Sequence, residues 1–287
     1  MIAIYKKEMR TYFTHMMGYV FLAVMLLGVG IWFAMANVFG MNTNFHLALS
    51  NTTIFFFILI PVLTMRLFSE ESRQKTDQLL FTSPLSVFQI VVGKFFAAFS
   101  LFLITTASTI IMPILLSRHG DVPVSRVTSA YVGFILLGAC CIAIGVFISV
   151  LTENQIIAAV ISIVALFLLF MLDVVAFMLP TTAFASLVFV ILVVASVIGL
   201  WFAATRNVII TAVVAVVAIA IAIGLYLMNN MVYDGVIIRV LLWLSIFNRF
   251  GNFSDGLLHT ADIIYYITFS AVFVYLTINV IEKRRWR

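Results

Sequence analysis

Apolar runs long enough to cross a membrane repeat along almost the whole chain, and they limit what it can fold into more than any single residue does. They cover Gly18 to Val38, Leu49 to Leu67, Phe95 to Leu116, Tyr131 to Leu151, Ile156 to Leu179, Phe184 to Ala204, Val208 to Met228 and Ile263 to Ile281. A helix of roughly 20 residues spans a hydrocarbon layer about 30 Å thick. A bilayer admits only helices or closed barrels, and apolarity that is continuous rather than alternating excludes the barrel. The fold class that follows is all-α, a polytopic membrane protein of about eight transmembrane helices. Composition agrees, because 9% charged residues is far below the roughly 25% of a soluble domain.

An even number of spans puts both ends on one side. Placing that side in the cytosol leaves Lys6, Lys7, Arg10, Arg66, Arg73, Lys75, Lys94, Arg206, Lys283, Arg284, Arg285 and Arg287 inside, and only Arg118, Arg126, Arg239 and Arg249 outside. The positive-inside rule then fixes the orientation, with N and C termini cytosolic in a cell inner or plasma membrane. The net charge of +5 marks topology rather than a nucleic-acid surface, so no nucleic-acid partner is expected. Ala34-Met35-Ala36 resembles a signal-peptidase site, but the run before it is long enough to span, and an uncleaved first helix is expected. Cys140 and Cys141 are adjacent in an apolar run and read as packing residues.

Between the spans, Ser69 to Lys94 is the one long polar segment. A short cytosolic helix is expected over 69–82, and Ser83-Pro84 reads as the start of the next helix. Pro61 and Pro113 fall inside spans and should kink them. Residues 184–228 form an apolar hairpin closed by Thr205, Arg206 and Asn207. Residues 229–262 read as extracytoplasmic interfacial helices, a pair broken near Gly251. The basic, aromatic end, Lys283 to Arg287, suits an anionic membrane surface, so membrane lipids count among the partners. All of this belongs to one membrane domain, 1–287.

An energy source is missing from the chain itself. Gly93-Lys94 lacks the upstream glycine of a phosphate-binding loop. Asp173 is the one clear intramembrane charge, and a lone carboxylate without a partner makes a poor proton relay. His15, His46, His119 and His259 are scattered, with no metal-binding spacing, and Glu70-Glu71 has no histidine to complete a protease site. No catalytic residue and no metal ligand is assigned.

The polar segment resembles the first cytosolic loop of type-2 ABC transporter permeases: Glu70, Glu71, Arg73, Thr76, Leu79, Leu80, Ser83, Pro84, Gly93 and Lys94 follow that pattern. Lys6-Lys7-Glu8, Tyr12-Phe13, Tyr19, Phe247 to Tyr266 and the basic end are similar to the gliding-motility-type subgroup. Lys75 and Gln78 depart from the residues usual in relatives, and the 184–228 hairpin is extra to a six-span core.

The resemblance implies the permease subunit of an exporter, not itself an enzyme. It would work beside a second permease subunit and a cytosolic ABC ATPase subunit that holds ATP and Mg, with an extracytoplasmic accessory protein as a further partner. ATPase coupling would fall to Glu70, Glu71, Arg73, Thr76, Leu79, Leu80 and Glu153, with Ser83 and Pro84 as an elbow. On this reading Glu71→Lys should release the ATPase without unfolding the membrane domain. A membrane scaffold for a partner complex and an ion-coupled secondary transporter remain as alternatives.

Overall fold

A computed structural model describes residues 1–76, 85–205, 208–228 and 230–285. All regular structure among them is helical, in agreement with the continuous apolar runs. In chain order the helices are α1 (Ile2–Thr14), α2 (Met17–Phe39), α3 (Phe45–Arg73), α4 (Val87–Leu116), α5 (Val124–Leu151), α6 (Gln155–Met178), α7 (Ala183–Thr205), α8 (Val208–Met228), α9 (Val236–Leu244), α10 (Ile246–Ser254) and α11 (Thr260–Arg285). Among the described residues, α2 to α6 and α11 are the six long and apolar enough to cross a membrane. The eight-span expectation also counts α7 and α8, which are helices of 23 and 21 residues packed on one another.

The intraspan prolines act locally. Pro113 has no N–H to offer the carbonyl of Thr109. The helix loosens there, and the N–H of Met112 bonds that carbonyl instead, at 3.0 Å. Upstream of Pro61, α3 tightens into a 3-10 turn at Thr53–Phe55.

The chain forms two compact units, Met1–Leu169 with Ile246–Arg287, and Phe170–Ser245. In the first, α5 is the central helix, packed by α3, α4, α10 and α11. Helices in lipid gain little from hydrophobicity and rely on close packing, which small residues permit. Gly138 faces the Phe102 ring of α4, and Gly145 faces Thr64 of α3, each so close that a methyl group would not fit. Phe56, Phe102 and Phe134 pack around this crossing with ring centroids 4.8 to 5.7 Å apart. Cys140 and Cys141 are free and buried in the same helix. In the second unit, α7 and α8 form the hairpin, and the N–H of Gly235 bonds the carbonyl of Thr181 at 3.2 Å ahead of α9.

The break expected near Gly251 falls instead at Ser245, whose backbone is extended between α9 and α10. Gly251 lies within α10. Burial of Ile246, Phe247, Phe250 and Phe253 along that helix outweighs the roughly 1 kcal/mol that a glycine costs a helix interior.

Candidate functional site

At one end of α5 the first unit gathers its charges. Gly93 opens α4 to α1: a Cβ there would stand 3.2 Å from the carbonyl oxygen of Met1 and 3.3 Å from Ile4. With Ile4 seated on Gly93, Glu8 follows one turn later on the same face and meets Lys94. The Lys94 ammonium lies 3.0 Å from Glu8 Oε1 and 2.8 Å from Glu71 Oε2. It also donates to the carbonyl of Leu67, so two carboxylates and a backbone oxygen surround the ammonium. The Phe68 ring covers it, with its centroid 4.8 Å away. The Lys94 side chain is 1% exposed, and a charge so enclosed persists only when it is paired and hydrogen-bonded.

Glu71 continues the network outward. Its other oxygen accepts from Lys7 at 3.1 Å, so two ammonium groups and two carboxylates alternate from the interior to the surface. Burial works against the Lys7 ammonium, but the Glu71 and Glu8 carboxylates outweigh it and hold its pKa above the usual lysine value. Beside this, Arg66 clamps Glu70 through two bonds of 2.6 and 3.1 Å. The Tyr12 hydroxyl donates to the carbonyl of Leu63 at 3.2 Å, and that of Tyr5 donates to Ser100 at 3.1 Å. These contacts tie α1 to α3 and α4.

The coupling residues named from sequence occupy unequal positions. Ser69 to Arg73 are the last turns of α3 rather than the start of a separate helix, so Glu70 and Glu71 are held within the bundle. The chain then turns: Thr76 bonds the Glu71 carbonyl through its N–H at 3.0 Å and its hydroxyl at 3.3 Å, and Lys75 adopts a left-handed conformation. Arg73 and Lys75 are exposed. Leu79, Leu80, Ser83 and Pro84, with the rest of 77–84, lie outside the described residues. The cap of α4 among described residues is Ser86, whose hydroxyl accepts from the N–H of Gln89 at 3.3 Å.

Glu153 is exposed in the turn between α5 and α6, where Asn154 Oδ1 accepts from the N–H of Ile156 at 2.9 Å. That turn leaves the bundle at the charged end. Ser149 accepts from the Phe68 N–H at 3.0 Å, and Val150 packs with Val87, Val91, Ile278 and Ile281. Asp173 belongs to the second unit, where its carboxyl meets the Ser245 hydroxyl. Among the described residues no group of three or more His, Cys, Asp or Glu could hold a metal.

Sequence reasoning missed the partners. Lys94 read as a topology marker and part of a family pattern, and Glu8 only as part of the Lys6-Lys7-Glu8 resemblance. The available signal was spacing, because Glu8 shares a helix face with Ile4 and Tyr12 and so cannot point to water. The network also changes what Glu71→Lys should do. A lysine there would set three cations together beside Lys94 and Lys7, and folding would suffer along with any docking.

A second charged cluster lies toward the other end of α5, where Gly133 receives Phe253 of α10. Arg249 pairs with Asp262 at 2.6 Å and stacks over Tyr265 at 4.0 Å, and Asn252 donates to the other Asp262 oxygen at 2.8 Å. Asp262 is 4% exposed. This cluster locks α10 to the start of α11.

A family model described as ABC-2 family transporter protein matches residues 39–223, well over half of the chain. Neither the curated proteins nor the solved structures yield a match.

Proposed function

The chain belongs to the ABC-2 transporter family and is a membrane-spanning permease subunit of an ABC transporter, and we propose that the connection between α3 and α4 takes up force from a separate cytosolic ATPase to drive export. In this reading ATP and Mg reside on the ATPase, a second permease subunit completes the path, and the charged end of α5 faces the cytosol from a cell inner or plasma membrane. The gliding-motility-type subgroup and an extracytoplasmic accessory protein belong to the same proposal.

One observation carries it. The connection leaves from a junction where Lys94 joins Glu71 of α3 and Glu8 of α1. A push on the exposed turn at Arg73 to Lys75 therefore reaches α1, α3 and α4 together instead of dissipating in a loose loop. The acids do the bracing, and the exposed Arg73, Lys75 and Glu153, with the half-buried Thr76, are the groups left to meet the ATPase. Leu79 and Leu80 follow them in the same connection and would be buried against it.

The test reverses the exposed charges and leaves the brace intact. Arg73→Glu with Lys75→Glu should leave thermal unfolding of the permease unchanged. It should weaken ATPase retention about ten- to hundred-fold, the loss of one charge-assisted contact at about 1.5–3 kcal/mol. Undiminished co-purification and undiminished ATP turnover in the reconstituted complex would refute the assignment.

A further inference from the structure

The bundle-facing side of α1 is accounted for by Ile4, Glu8 and Tyr12. At about 3.6 residues per turn, the rest of the helix divides into two stripes. Ile2, Met9 and Phe13 share one arc, and Lys6 and Arg10 lie beside it, followed by Thr14. Ile2 is 67% exposed, and Lys6 and Arg10 are exposed. Phe13 packs edge-on against Tyr19 at 5.6 Å, so the apolar stripe continues onto the exposed aromatic foot of α2. A recess of about 440 Å³ runs along the basic stripe, lined by Lys6, Lys7, Arg10, Thr14 and His15.

We propose that this face of α1 binds the phosphate headgroup of an anionic phospholipid, with Lys6 and Arg10 on the phosphate and Ile2, Met9 and Phe13 against the acyl chains. An apolar stripe adjoining a basic one is the pattern of a helix lying in the interface plane, and basic groups there attract anionic lipid. A water-soluble acidic partner would satisfy the cations and leave Ile2, Met9 and Phe13 uncovered. Lys7 is the hinge between the two roles, because it lies on the recess and also caps the inward network through Glu71. Lipid bound here would therefore sit directly on the element tied to Glu71 and Lys94.

The experiment uses the full-length permease without any ATPase, so its failure is separable from failure of the coupling assignment. The protein is reconstituted in mixed phosphatidylcholine and phosphatidylglycerol, and the lipid retained on extraction is measured by native mass spectrometry. Wild type should retain phosphatidylglycerol preferentially. Lys6→Gln with Arg10→Gln should lower that retention about ten- to thirty-fold, from roughly five-fold per basic group near the surface. Millimolar inorganic phosphate should leave it unchanged. Wild-type retention by the Lys6/Arg10 variant would overturn the proposal. Displacement of the lipid by free phosphate would also overturn it.

Discussion

Replacing Lys94 with methionine is the sharpest test of the charged junction. The substitution keeps chain length and approximate volume, removes the ammonium, and strands Glu8 and Glu71, whose side chains are 11% and 14% exposed. Glu71 retains Lys7, which is 60% exposed and reaches it from the surface, but Glu8 loses its one ion pair among the described residues. Breaking a buried pair by deleting one partner costs about 3–5 kcal/mol, most of it from the charge left behind. The lost bond to the Leu67 carbonyl adds about 1 kcal/mol. Lys94→Met should therefore destabilise the permease by roughly 4–6 kcal/mol, read by SDS titration in mixed micelles with tryptophan fluorescence.

The decisive comparison removes the stranded charges as well. Buried ion triads replaced by apolar residues of similar volume are often as stable as the original or more so. Lys94→Met combined with Glu8→Met and Glu71→Met should recover to within about 1 kcal/mol of wild type, a strongly non-additive result of the kind expected for residues in one network. If Lys94→Met alone unfolds within about 1 kcal/mol of wild type, the ammonium is not buried between the two carboxylates. If the triple variant is no better than the single one, the cost came from packing rather than from charge.

The same titration tests two other positions. Arg249→Met should cost about 3 kcal/mol by leaving Asp262 buried with Asn252 as its remaining side-chain donor, and adding Asp262→Asn should restore most of it; equal damage in both would refute the ion-pair account. Gly138→Val should cost about 1–3 kcal/mol or more because the buried Phe102 ring fills the space a side chain needs, and Phe102→Leu in the same chain should relieve part of that. An additive pair would show that Gly138 and Phe102 do not share the crossing.

Much of this fold was legible because hydrophobic length is a local property. Each of the six long apolar helices was visible as a run, since a bilayer sets its length with no reference to neighbours. What the runs could not give was which charges meet. Glu8, Glu71 and Lys94 are separated by 63 and 23 positions in the chain, and only the packing of α1 through Gly93 brings them together. The break at Ser245 was missed for a related reason. Gly251 carries the stronger local signal for a helix end, but the buried aromatic residues of α10 override it, and their burial depends on α5. Glu70-Glu71 and Gly93-Lys94 were both visible as pieces of a family pattern, and the ion pair between Glu71 and Lys94 gives them one physical cause: they close the connection between α3 and α4 at its base.

That pairing also bears on the orientation. The positive-inside rule counts basic residues as markers held on one side of the membrane, whereas Lys94, Arg66 and Arg249 are engaged with carboxylates inside the protein. Of the twelve basic residues on the proposed cytosolic side, setting aside Lys94 and Arg66 leaves ten; of the four on the other, setting aside Arg249 leaves three. The asymmetry survives because it rests on exposed groups such as Lys6, Arg10, Arg73, Lys283 and Arg284. Two of these, Lys6 and Arg10, are the residues assigned to an anionic headgroup, so one pair of cations would both set topology and hold lipid. The buried charges have a different task. Lys94 fixes α1 to the base of the α3–α4 connection, and Arg249 fixes α10 to α11. Neutralising an exposed cation should therefore alter lipid or partner binding at constant stability, and neutralising a buried one should alter stability first.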